Sequence, residues 1–155
     1  MPKSQQIANP VFKVDLDKIL SGEDQRHTIM IRNIPNKYTQ EMLLKRINRL
    51  HKGTYDFFYL PMDLNNNCNI GYAFINFVDP CYIVPFFEDM NGKSWENFNS
   101  EKICQIAYGR IQGKAALIEN VSHLLPEKRT IQPFVNESYN LDSNVIREVR
   151  NGLIF

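Results

Sequence analysis

At 155 residues, with 43% hydrophobic and 23% charged residues, the chain is long enough for one proper core and too short for two comfortable domains. No apolar run approaches the ~20 residues that cross a bilayer, and the opening Met1-Pro2-Lys3-Ser4-Gln5-Gln6 lacks the apolar stretch of a signal peptide, so a soluble intracellular protein without membrane contact is expected. A net charge of +1 does not by itself imply a polyanion partner, and 3 scattered cysteines with no Cys-x-x-Cys spacing argue against disulfide and zinc frameworks.

Residues 1–11 carry no apolar periodicity and are expected to be a disordered lead-in. In residues 12–27, Phe12, Val14 and Leu16 alternate before Ile19 and Leu20 take up helical spacing, with Asp15 near the helix start and Ser21-Gly22 at its end. A helix this short is unstable alone, so the segment reads as a flanking element docked on the domain. Residues 28–34 form the next strand, with Ile29 and Ile31 on one face and Met30 and Arg32 on the other. After the Pro35-Asn36 break, Thr39 can cap a helix from 40 to about 51, whose Met42, Leu43, Ile47 and Leu50 recur at helical spacing while Lys45, Arg46 and Arg49 stay outside. The stretch 26–52 is locally basic: Arg26, Arg32, Lys37, Lys45, Arg46, Arg49 and Lys52 stand against Glu41 alone.

Residues 55–62 read as an aromatic strand, with Phe58 and Leu60 toward the core, Tyr55, Phe57 and Tyr59 on the other side, and Pro61 placing it at a sheet edge. An asparagine-rich loop then leads into residues 70–77, Ile-Gly-Tyr-Ala-Phe-Ile-Asn-Phe. Period-two alternation sorts that octamer into Ala73, Ile75 and Phe77 for a core and Tyr72, Phe74 and Asn76 for the opposite face. Asp79-Pro80 opens a second helix lined by Ile83, Phe86, Phe87 and Met90, which Asn91-Gly92 closes; Pro85 inside it conflicts with a full-length helix. Trp95 and Phe98 are expected to be lids on the core, and residues 103–108 a last strand. The order β-α-β-β-α-β over 28–112 predicts an α+β, ferredoxin-like sandwich whose antiparallel sheet leaves one face open. Residues 113–125 add a third amphipathic helix striped by Leu117, Val121 and Leu124, which must cover the sheet, a flank or another chain; 126–155 read as a tail.

Residues 70–77 match the RNP1 signature of the RNA-recognition motif everywhere except Ile70, where a basic residue usually meets phosphate. The RNP2 counterpart is Ile29-Met30-Ile31-Arg32-Asn33-Ile34, with Met30 at the usual aromatic position. Tyr72 and Phe74 are therefore the candidate base-stacking rings. Met30, Phe57, Tyr59 and Asn76 share their predicted face; Arg32 and Lys37, with Lys45 or Arg46, can reach phosphates, and Arg110 a base edge or the backbone. The structural alternative is that the rings merely cover one sheet face beneath the third helix.

Longer strings extend the likeness: Ile-Arg-Asn-Ile-Pro-Asn-Lys-Tyr at 31–38, Tyr-Asp-Phe-Phe-Tyr-Leu-Pro-Met-Asp at 55–63, and Ala-Tyr-Gly-Arg-Ile-Gln-Gly-Lys-Ala-Ala-Leu at 107–117. Together they resemble the C-terminal RNA-recognition motif of the Mei-two-like family of meiotic regulators, over residues 12–135. The resemblance implies binding of single-stranded RNA, non-coding RNA included, in a regulator of meiosis or development found in nucleus and cytoplasm. It implies no catalysis, cofactor, metal or small-molecule substrate. The sequence agrees in carrying no nucleophile triad or phosphate loop. The rival expectation is a protein-interaction module, with a partner on residues 114–125 or on the helical side.

Overall fold

The computed structural model describes residues 9–124 and 133–136. Most of the predicted lead-in and tail, and Leu125, lie outside them. The elements in chain order are a 3₁₀ turn at Pro10–Phe12, α1 (Leu16–Leu20), β1 (Thr28–Arg32), α2 (Gln40–His51), β2 (Tyr55–Tyr59), β3 (Met62–Asp63), β4 (Cys68–Asn69), β5 (Tyr72–Phe77), a 3₁₀ turn at Pro80–Tyr82, α3 (Ile83–Met90), β6 (Gln105–Tyr108), α4 (Lys114–Leu124) and β7 (Phe134–Val135). No described helix is long and apolar enough to cross a membrane.

Alternation in β1 and β5 builds the sheet as the sequence predicts. Ile29 and Ile31 from β1, with Ala73, Ile75 and Phe77 from β5, are fully buried in the core shared with α2 and α3. The antiparallel order β6-β1-β5-β2 is the ferredoxin-like sheet, and β3 and β4 form a small hairpin beside it. Asp15 caps α1 through its carboxylate, which accepts from the amides of Asp17 and Lys18. Val14 and Ile19 dock this flanking element on the core. Trp95 closes the core against Tyr38, ring centroids 5.3 Å apart, and Phe98 meets Tyr38 edge-on at 5.4 Å.

Tyr55 departs from simple alternation. A register irregularity between Tyr55 and Phe57 breaks the period of two. Tyr55 consequently joins the core, donating its hydroxyl to Asn48 Oδ1 at 2.6 Å, while Asp56 and Phe57 both lie under α4's side of the sheet. The expected edge is also different, because β7 pairs antiparallel with β2 through Phe57 and Phe58, and Pro61 falls after β2 has ended.

In α2, Leu50 is 70% exposed and His51 takes the buried place. His51 is held there by the Asp89 carboxylate at 2.8 Å. Arg46 is drawn in rather than left outside: it donates through both terminal nitrogens to Asp89, at 3.0 and 3.1 Å. Burial works against the charge of Asp89, but the hydrogen bonds from Arg46 and His51 outweigh it and hold the carboxyl below its ordinary range. The conflict at Pro85 disappears because a 3₁₀ turn occupies Pro80–Tyr82 and the α-helix starts only at Ile83. Pro85 then sits in the first helical turn, where a backbone N–H has no partner inside the helix.

Candidate nucleic-acid interface

The face of the sheet away from α2 and α3 is divided in two. Over β2, α4 lies on the strand: Leu117 and Val121 bury Phe57 and Tyr59, with Ile118 and Val135 packed alongside. Phe57 is 0% and Tyr59 6% exposed. The structure therefore does not bring these two predicted site residues to the open surface. Burial also raises the tendency of the Tyr59 hydroxyl to keep its proton.

Asn76, the other predicted member of this face, is buried too. It accepts from Thr28 Oγ1 at 2.6 Å and donates through Nδ2 to Asp56 Oδ1 at 2.8 Å. Asp56 faces Lys114 Nζ at 4.0 Å, and Thr28 Oγ1 accepts the Gly113 amide at 2.8 Å. Gln112 completes the set, its Oε1 accepting from the amides of His27 and Thr28 and its Nε2 donating to the carbonyls of Thr28 and Gly109. Burial pushes the Asp56 carboxyl up, against the opposing pull of Asn76 and Lys114. This polar chain fastens the start of α4 across β1, β5 and β2. Gly109 lets the linker cross closely, since a Cβ there would stand 3.3 Å from Thr28 Cγ2. Asn76→Ala should cost about 1–3 kcal/mol in urea unfolding, because it strands buried partners on two strands; a loss below a few tenths would contradict the role given to the chain.

The other half, over β1, β5 and β6, stays open. In the pairing register Met30 lies between Phe74 and Ala107, and Arg32 between Tyr72 and Gln105. Tyr72 and Phe74 meet edge to face with centroids 5.5 Å apart. Arg32 is steadied by donating to Gln105 Oε1 at 3.0 Å. Met30, Arg32, Tyr72, Phe74 and Arg110 line one groove of about 450 Å³, whose remaining lining includes Phe12 from the flanking turn. Arg110 is exposed, its guanidinium carbon 5.7 Å from the centroid of the Phe12 ring.

Lys37 is exposed in the turn after β1. Buried Asn69 holds that turn by donating to the carbonyls of Pro35 and Tyr38 at 2.8 and 2.9 Å. Lys102, which sequence reasoning did not single out, donates to Asn36 Oδ1 at 3.1 Å in the same turn. Its signal was absent from the local pattern, since it lies 66 residues away along the chain. Ile70, at the usual basic RNP1 position, is exposed. Arg46 is committed to Asp89 on the helical side, and Lys45 shares that helix, so neither joins the groove.

An aromatic pair on one central strand of such a sheet, beside Met30 on the other and flanked by cations, places the chain in the RNA-recognition motif class. The family model described as RNA recognition motif 2 matches residues 26–122. The chain is 53% identical over 134 residues to Protein MEI2-like 2 of Oryza sativa subsp. japonica, covering 85% of this chain and 16% of that protein. It is 56% identical over 127 residues to Protein MEI2-like 4 of Arabidopsis thaliana, covering 81% and 14% respectively. The chain belongs to the RNA recognition motif 2 family and, within it, to the MEI2-like proteins. It spans about one sixth of the length of the rice relative it matches. Among solved structures it is similar to that of the Rna15 RRM with bound RNA (GU), at 19% identity and a TM-score of 0.49, covering 62% of this chain and 96% of that one.

Proposed function

We propose that this chain binds single-stranded RNA in the half of the sheet that α4 leaves open, as the RNA-binding part of a regulator of meiosis or development. The observation that carries the reading is the open groove in which Tyr72 and Phe74 stand beside Met30, Arg32 and Arg110. Stacking on such rings tolerates any base, and cations beside them neutralise the backbone. Met30 lends a polarizable surface but no π-face, so the two rings of β5 supply most of the stacking. The names of the relatives support the meiotic setting, and action in both nucleus and cytoplasm, with non-coding RNA among the ligands, is part of the same proposal. A role as a protein-interaction module through α4 is less favoured, because Leu117 and Val121 are occupied by Phe57 and Tyr59.

The test is a salt titration with labelled single-stranded RNA. The logarithm of affinity should fall linearly with the logarithm of salt concentration, by about 0.7 per phosphate contacted. Arg32→Ala and Arg110→Ala should each flatten that slope by about 0.7 for each phosphate contact they remove. Binding that is indifferent to salt, or no binding at low salt, would reject the proposal.

A further inference from the structure

With the β2 half of the face closed by α4, the bases next to Tyr72 and Phe74 must find their support on the opposite side, toward β6. A ring stands there that belongs to neither half-signature and lies outside residues 26–122 of the family match: Phe12, in the Pro10–Phe12 turn, lines the same groove as Tyr72 and Phe74. We propose that Phe12 is a third base-stacking ring and that the flanking turn is one wall of the RNA site. This inference rests on the reading of the groove as an RNA site.

Three observations carry it. The ring face is reachable by a flat polar group, because the exposed Arg110 guanidinium already lies over it at 5.7 Å. A delocalised planar cation and a nucleobase make comparable demands on an aromatic face. The turn that presents the ring is also built to stay in place. Asn9 Oδ1 accepts the Val11 amide at 2.9 Å, and the Val11 carbonyl accepts from Arg26 Nη1 at 2.8 Å. Arg26 is itself clamped by both carboxylate oxygens of Asp24, at 3.1 and 2.7 Å, and lies 3.9 Å over the centroid of the Tyr108 ring. A ring fixed before binding loses little freedom when a base stacks on it, which is the advantage of preorganisation. Finally, the partly buried side of Phe12 packs on the core, so its placement follows from folding of the domain rather than from the ligand.

The experiment compares three variants with the wild-type chain at fixed salt, using labelled random-sequence single-stranded RNA. Phe12→Leu keeps apolar volume and removes the π-face. It should weaken binding by about five- to 150-fold, the range of a single stacked base, with little change in the urea midpoint. Phe12→Tyr should restore affinity to within about twofold, since the π-face returns. Phe12→Leu binding like wild type, while the Tyr72→Ala/Phe74→Ala double variant loses affinity, would overturn the inference and leave the RNA reading standing. Loss in neither would overturn both. A check free of substitutions follows the Phe12 ring protons by NMR as RNA is added: upfield movement supports stacking, and unchanged resonances reject it.

Discussion

A chain carrying both Tyr72→Ala and Phe74→Ala should bind single-stranded RNA about 2–6 kcal/mol more weakly than wild type at the same salt, the sum of two stacked bases at ~1–3 kcal/mol each. Both rings project from β5 on the open half of the sheet, away from the core residues Ala73, Ile75 and Phe77. Phe74 also rests against the cluster of Phe57, Leu117 and Val121, so their removal should cost some stability while the main core keeps the domain folded. Fluorescence anisotropy at constant ionic strength measures the affinity, and urea unfolding checks the fold. The rings touch each other edge to face, so the two single variants should not add simply. Unchanged affinity in a folded double variant would remove these residues from the site.

Phe57→Ala should produce the opposite pattern, a loss of stability rather than a local loss of contact. Its side chain is fully buried between the sheet and α4, where it meets Leu117 and Val121. Truncating a buried phenylalanine costs about 3–5 kcal/mol through lost burial and the cavity left behind. Against a total stability of about 5–15 kcal/mol that is a large share. Urea unfolding reads the loss, and amide exchange should show α4 opening before the central strands, since its anchorage is the part weakened. A loss below ~1 kcal/mol would mean that α4 does not rest on β2 as described. The contrast between Phe57 and Phe74 is informative because both rings lie on the same side of one sheet. What separates them is a helix that begins 57 residues beyond Phe57 in the chain.

The contrast also explains which parts of the site were legible beforehand. The partition of β5 into Tyr72 and Phe74 against Ala73, Ile75 and Phe77 follows from the two-residue period of an extended chain. Met30 and Arg32 follow in the same way from β1. Asn76 obeyed the same period and reached the predicted face, yet the polar chain from Gln112 to Lys114 encloses it there. Tyr55 failed for a local reason, since the irregularity after it places Asp56 and Phe57 on the same side. Phe12 and Lys102 could not have been found from pattern, because each reaches the groove or its bordering turn only through the folded sheet.

The sequence by itself determined the element order, the burial of alternate residues in β1 and β5, the aromatic pair, and the family, because each depends on neighbours along the chain or on strings of residues read directly. Only the tertiary structure decided which half of the sheet face stays open, that Phe134 and Val135 pair with β2, and that Arg46 turns to Asp89. The first two outcomes depend on α4 and β7 reaching β2 and the third on α3 packing beside α2, and residues distant in sequence meet in these ways only when the chain folds.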